Sequence, residues 1–208
     1  MLVVAVIACT LVHLLAIAGQ GMLLGLPLSE FRFGFGPVWL RAGRLSLGGL
    51  PLGGYVRFGA STSEPPPQWS LHPLSQLSLA LAGVAALLAV SIALIGRDGL
   101  AAFAGGFRQF LVGAASPLDA AQAMLVAVRR QVVDGTFAAT LGLVAAKLAA
   151  MNLMPFPRTN GWEMLAVAGR RLGLASRWPE GLTTAWLLAH LAFLGAWLLA
   201  LVVFLASH

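Results

Sequence analysis

Residues 1–30 read MLVVAVIACTLVHLLAIAGQGMLLGLPLSE, with no charged side chain before Glu30 and a single histidine, His13, near the middle. The hydrocarbon core of a bilayer is about 30 Å thick and takes roughly twenty apolar residues of helix to cross. Residues 2–26 meet that length, which predicts a spanning helix with His13 deep in the membrane. An ionisable side chain at that depth is costly and marks a functional site by default. Ala16-Ile17-Ala18 mimics a signal-peptide cleavage site. No basic flank precedes it and the apolar run continues beyond it, so a retained helix is expected.

The totals agree with a membrane environment. Of 208 residues, 59% are hydrophobic and 10% charged, against about 25% charged in ordinary soluble domains. One helical unit is expected, since nothing resembles a long soluble insertion. The net charge of +6 comes from 13 Lys+Arg against 7 Asp+Glu spread over short connections. Such charge sets membrane topology. No basic cluster exceeds two neighbours, so lipid and membrane proteins, not nucleic acid, are the expected partners. Cys9 is the only cysteine, which excludes an intrachain disulfide and a cysteine metal cage.

Working outward from the first span, Glu30 to Gly36 alternates as a strand does, and 45–47 and 55–58 are two more short strand candidates. Glycines at 48, 49, 53 and 54 supply turns, giving a β segment over 30–59. Such backbone must face protein, because unpaired amides in lipid cost several kcal/mol. Residues 61–69, with Pro65-Pro66-Pro67, read as a stiff linker. A second span is expected over 76–95, stopped by Gly96-Arg97-Asp98, and then an amphipathic helix over 117–132 with Leu118, Ala121, Leu125, Val128 and Val132 on one face. It either lies in the interface plane or covers the bundle.

The third span is expected over 136–154 and carries Lys147, at an insertion cost of roughly 2.5–3.5 kcal/mol. Pro155 and Pro157 end it, a short interfacial helix follows over 161–172, and the fourth span covers 182–206. Trp178, Trp186 and Trp197 are expected as interface anchors. His190 reads as an interhelical polar contact more readily than as a ligand. The fold class is therefore an all-α integral membrane protein of four transmembrane helices with a small membrane-associated β-hairpin or sheet after the first. Loops one and three hold Arg32, Arg41, Arg44, Arg57, Arg158, Arg170, Arg171 and Arg177, against Arg97, Arg108, Arg129 and Arg130 in loop two. The positive-inside bias then places those two loops in the cytoplasm and both termini outside.

Four motifs in order carry a resemblance. His13 on the first helix is followed by Gly34-Phe35-Gly36-Pro37, then Pro51-Leu52-Gly53-Gly54-Tyr55-Val56, then Asn152-Leu153-Met154-Pro155-Phe156-Pro157-Arg158-Thr159-Asn160-Gly161. The chain resembles the site-2 protease family of intramembrane zinc metalloproteases over roughly three-quarters of its length. That family has His-Glu-x-x-His on its first helix, a Gly-Phe-Gly element, a Pro-x-Gly-Gly-Tyr β segment on the cytoplasmic side, and Asn-x-x-Pro-x-Pro-x-x-Asp-Gly on a later helix. The resemblance implies a bacterial inner (plasma) membrane location.

The chemistry departs from the family. A catalytic zinc needs three protein ligands and an open position for water, with a glutamate to take the proton. By register His13 holds the first ligand position, Leu14 the glutamate position, Ile17 the second histidine position and Asn160 the aspartate position. No acid among Glu30, Glu64, Asp98, Asp119, Asp134, Glu163 and Glu180 falls within an expected span. Ala82-Gly83-Val84 replaces the family's Ala-Gly-Pro, and the PDZ insertion of some members is missing. The expectation is a pseudoprotease without catalytic residues or zinc, serving as a scaffold or adaptor for transmembrane or extended partner segments. Gly53, Gly54, Tyr55, Asn152, Pro155 and Pro157 are the expected partner-binding residues. His13 and Asn160 either bond to each other or to local backbone and water. Two alternatives are an active protease with a non-standard site and a subunit of a transport or envelope complex using Lys147 and His190.

Overall fold

The computed structural model describes residues 1–59, 67–157, 159–173 and 180–207. Most of the 61–69 linker, together with Trp178, Arg158 and Arg177, lies outside the described residues. The elements run α1 (Leu2–Leu23), β1 (Leu28–Ala42), β2 (Leu45–Phe58), a 3-10 turn (Pro67–Ser70), α2 (Pro73–Ile95), α3 (Arg97–Ala115), α4 (Ala120–Asp134), α5 (Phe137–Leu153), α6 (Asn160–Arg171) and α7 (Glu180–Ser207).

Three of these helices are long and apolar enough to cross a membrane: α1, α2 and the 184–207 part of α7. The expected third span is shorter. α5 has 17 residues, about 25 Å at 1.5 Å per residue. Thr136 caps its start by accepting a hydrogen bond from the Ala139 amide at 3.2 Å. It stops before Pro155 because the residue preceding a proline is driven out of the helical region. Instead of length, α5 has small residues: Gly142, Ala145, Ala146, Ala149 and Ala150 are buried, allowing α1, α2 and α3 to pack close around it. Cys9, Val84, Leu87, Ala145 and Ala149 form the core where α1, α2 and α5 meet.

α3 corrects the sequence reading, which assigned no element to its residues. Arg97, Asp98, Arg108 and its glycines mask the helical pattern. Gly99, Gly106 and Gly113, seven apart, are its buried residues. They make room for neighbours: a Cβ on Gly106 would stand 2.8 Å from Ala150 Cβ, and one on Gly113 would stand 2.3 Å from the Trp197 ring. α4 begins at Ala120, so Leu118 falls in the preceding turn and is exposed. Ala121 is fully buried, while Val128 is exposed along with Arg129 and Arg130, so the expected apolar face is only partly used.

The three short strand runs expected over 30–36, 45–47 and 55–58 are present, as parts of two longer bent strands. β1 and β2 are antiparallel. Phe31, Arg32 and Phe33 are paired on both sides, with 54–56 along one edge and 45–47 along the other. The chain thus reverses at Gly43-Arg44 and bends again near Gly36 and Gly48. Gly34 has φ 87°, and a Cβ there would lie 2.6 Å from the Leu50 carbonyl oxygen, so only glycine fits this crossing. Phe31 and Phe33 pack on Leu14 and Ala18 of α1. The Phe58 ring fills the space at Gly21, 2.1 Å from a notional Cβ. Gly21 thus serves internal packing, and Gly25 lies beyond the end of α1.

Leu87 is fully buried whereas Leu188 is 60% exposed. Leu87→Ala is expected to lower the unfolding free energy by about 2–5 kcal/mol, and Leu188→Ala by no more than about 0.5 kcal/mol, measured by reversible unfolding in mixed micelles.

Candidate functional site

A cavity of about 680 Å³ opens between α1, α2, α6 and the C-terminal part of β2. His13, Leu14, Ile17, Gly53, Gly54, Tyr55, Asn152 and Asn160 all line it. Positions singled out from motif register alone are thus brought together. Pro155 and Pro157 are not among its walls. Pro155 is exposed, and its carbonyl accepts a hydrogen bond from Trp186 Nε1.

His13 and Asn160 reach the same side of α2. The imidazole lies against Gly83, where a Cβ would stand 2.3 Å from Nδ1. Nδ1 is buried and has no hydrogen-bond partner among the described residues. Asn160 opens α6, whose start is fixed by Thr159 accepting from the Trp162 amide at 3.3 Å. The Asn160 Nδ2 donates to the Ala80 carbonyl at 2.5 Å. Ala80 and Gly83 are three residues apart and share a helical face. The two polar groups therefore meet α2 and not each other.

The remaining family positions serve packing. Leu14 is 4% exposed, and its Cδ1 would lie 2.7 Å from a Cβ on Gly54, so glycine there lets β2 close on α1. Ile17 packs beside Leu26, Phe58 and Leu79. Asn152 donates to the Leu148 carbonyl of its own preceding turn at 2.8 Å, a local bond that competes with the ladder at a helix end. Tyr55 lies between two guanidinium groups, 6.0 Å from Arg32 and 5.2 Å from Arg57.

The cavity also has a polar rim that the sequence reading missed. Arg170 donates to Gln76 Oε1 at 2.8 Å and lies 4.8 Å over the Trp69 ring. Gln76 in turn donates to the Leu71 carbonyl at 2.8 Å. Glu163 joins this wall. The signal was present in α6: Asn160, Glu163, Val167 and Arg170 recur at i, i+3, i+7 and i+10, one helical face. Glu163 keeps surface open to the cavity while protein surrounds it. Burial pushes its carboxyl above the ordinary value, and Arg170 pulls it partly back.

Lys147 and His190 stand elsewhere. Lys147 Nζ donates to the Ala102 carbonyl of α3 at 2.8 Å. His190 stacks on Phe156, centroids 4.8 Å apart and rings inclined 5°, which ties α7 to the loop after α5.

A catalytic zinc requires three protein donors. Its family positions here offer one imidazole pressed against Gly83, an isoleucine, and an amide committed to the Ala80 carbonyl. No group of three His, Cys, Asp or Glu side chains gathers among the described residues. This donor set does not fit a zinc centre. Compared with known proteins, the chain matches no family model, no curated protein and no solved structure.

The raised Glu163 gives a sign for pH dependence. Above the ordinary carboxylate pKa the folded state holds more protons than the unfolded chain, so stability falls as pH rises through that interval. Unfolding midpoints compared between wild type and Glu163→Gln from about pH 4 to about pH 8 are expected to show the wild type losing ground to the variant as pH rises.

Proposed function

We propose that this is a site-2-protease-like membrane protein that has given up hydrolysis and retains segment binding, holding extended or transmembrane partner chains in the cavity beside His13. In this reading α1, α2, α5 and α7 all cross the bilayer, α5 being accommodated by close packing and local thinning. Both termini lie outside the cytoplasm of a bacterial inner membrane. The protein acts as scaffold or adaptor.

One observation carries this reading. Gly54, Tyr55, Val56 and Phe58 of β2 line the cavity, pair with β1 along one side, and have no strand partner along the other among the described residues. An unpaired strand edge binds extended chain by main-chain hydrogen bonds, with side-chain pockets adding selectivity. In a water-poor site such an edge also favours occupation, since bare amides and carbonyls there are expensive. The base that would turn binding into hydrolysis is lacking: Leu14 occupies its position and is packed against the hairpin. Glu163, on the rim, has Arg170 as its charged neighbour.

The test uses purified full-length protein in nanodiscs with a panel of synthetic transmembrane peptides that carry a helix-breaking centre. A photo-crosslinker at Tyr55 is expected to capture them, with competition by unlabelled peptide. Intact peptide is expected after long incubation with added zinc, and metal analysis is expected to find less than about 0.1 zinc per chain, against one for a three-ligand site. Peptide cleavage that Leu14→Ala or His13→Ala abolishes would overturn the non-catalytic reading. Absence of crosslinking from Tyr55 alongside crosslinking from a lipid-facing control at Leu188 would overturn segment binding.

A further inference from the structure

The hairpin has two chemically different ends, and contacts with α1 fix their depth. Gly54 adjoins Leu14 and Phe58 adjoins Gly21. Those seven residues of α1 span about 10 Å, and the four residues of β2 between the same contacts span about 13 Å. β2 therefore runs alongside α1 from its middle to its C-terminal end.

At the deep end Phe35, Val38, Trp39, Leu40, Leu47 and Leu50 are exposed, Trp39 by 76%. An apolar patch of this kind is a docking surface or a lipid contact. At the other end, level with Phe58 and the last turn of α1, stands a polar pocket of about 210 Å³ lined by Arg41, Arg44, Arg57, Glu30, Ser29 and Ser46. Glu30 pairs with Arg57 at 3.2 Å and Arg41 at 3.8 Å and accepts from Ser46 Oγ at 3.3 Å. Ser29 Oγ donates to the Arg57 carbonyl at 3.1 Å. The Arg44 side chain has no hydrogen bond or ion pair among the described residues. Three guanidinium groups thus face one carboxylate, leaving two positive charges unbalanced.

We propose that this end of the hairpin is a binding site for an anionic phospholipid, with Arg41, Arg44 and Arg57 holding the phosphate and the acyl chains lying along Phe35, Trp39 and Leu50. Guanidinium groups bind phosphate through paired, charge-assisted hydrogen bonds. The two ends of the site set its ligand class. An acidic peptide satisfies the arginines and leaves the apolar end bare, whereas a molecule with an anionic head and a long apolar tail meets both. Two uncompensated charges select a net-negative headgroup over a zwitterionic one, whose own cation already neutralises its phosphate. Basic residues at a membrane surface attract anionic lipid in this way.

The proposal rests on the membrane placement given above, and the experiment separates the two. Carbonate washing of native membranes comes first: retention of the protein supports the placement, and its release would overturn the placement and this site together. Purified full-length protein is then given phosphatidylglycerol or phosphatidylcholine in equal amounts, and retained lipid is counted by native mass spectrometry. Wild type is expected to favour phosphatidylglycerol by about tenfold. The double variant Arg41→Gln/Arg44→Gln is expected to lose that preference, while Arg97→Gln/Arg108→Gln, an equal loss of charge on exposed positions of α3, keeps it. Equal retention of the two lipids by wild type would overturn the site. An equal loss in both double variants would do so too, by assigning the preference to net charge. Displacement of the lipid by an acidic soluble peptide at equal concentration would assign the arginines to a protein partner instead. Thermal unfolding of each variant without lipid reports whether it is folded. If Arg41→Gln/Arg44→Gln fails that check, Arg44→Gln alone, which removes no visible contact, is read in its place with the same expectation.

Discussion

The seating of the Phe58 ring on Gly21 turns the chain back on its first helix. Without a Cβ at that position, α1 offers a notch at the level where the hairpin returns. Phe31 and Phe33 then follow down the same side of α1 onto Leu14 and Ala18. Two consequences come from this one reversal. The outer edge of β2 is carried to the middle of α1 and becomes a cavity wall. The arginines of the hairpin base stay behind, level with the end of the apolar helix. An irregular, polar-backboned element cannot lie bare in lipid. Its alignment against α1 is what makes a β-hairpin compatible with an apolar bundle.

Much of this was legible in the sequence, and the parts that were not have definite causes. Helices α1, α2 and α7 announce themselves because twenty or more uncharged apolar residues admit few other structures. His13, Asn160, Gly53 and Gly54 line one cavity although they lie far apart in the chain and no local pattern joins them. The full extent of the strands was not legible. Trp39, Leu40 and Leu47, all exposed, break the alternation expected of a sheet with one wet face. α3 was missed because its packing face is made of glycines, which lower helix propensity and contribute nothing to a hydrophobic pattern. The Glu163–Arg170 rim was missed for a different reason. Its residues are spread over α6, and their partners Gln76 and Trp69 come from before and within α2.

The cavity wall combines packing side chains with a few polar groups. Leu14 and Ile17 now fill space between α1, the hairpin and α2, so those positions contribute packing where the family resemblance would place charge. His13 and Asn160 remain polar, yet each turns to the α2 backbone near Ala80 and Gly83. The hydrogen bond between them and α2, from Asn160 to Ala80, is a weak link. Interhelical hydrogen bonds in membranes average about 0.6 kcal/mol, far below what a bound metal contributes. The bundle does not depend on it, because the Cys9, Val84, Leu87, Ala145 and Ala149 core already holds α1, α2 and α5 together. The polar floor of the cavity is therefore free of a structural duty.

The same economy appears across the bundle. Beside the side-chain pairs Gln20 to Ser78 and Arg170 to Gln76, many of its long-range polar contacts run from a side-chain donor to a backbone carbonyl of another element: Asn160 to Ala80, Lys147 to Ala102, Gln122 to Ala200, Trp197 to Phe110 and Trp186 to Pro155. A helical carbonyl that already accepts its ladder bond has a second lone pair available. A donor that uses it needs no matching side chain and leaves no acceptor unsatisfied. Ion pairs, by contrast, are confined among the described residues to Glu30 with Arg41 and Arg57 on the hairpin. That division follows from dielectric. Two charges must both be desolvated to pair inside an apolar bundle, and the attraction gained often fails to offset that cost. At the hairpin base the Arg41 and Arg57 side chains are 65% and 46% exposed, which keeps the cost low. Neutral donors stitch the apolar region, and charge is concentrated where the surroundings can solvate it. Lys147 is the exception, a cation in mid-helix with only a carbonyl to answer it. It is tolerated because Gly106 lets its stem cross α3 at close range.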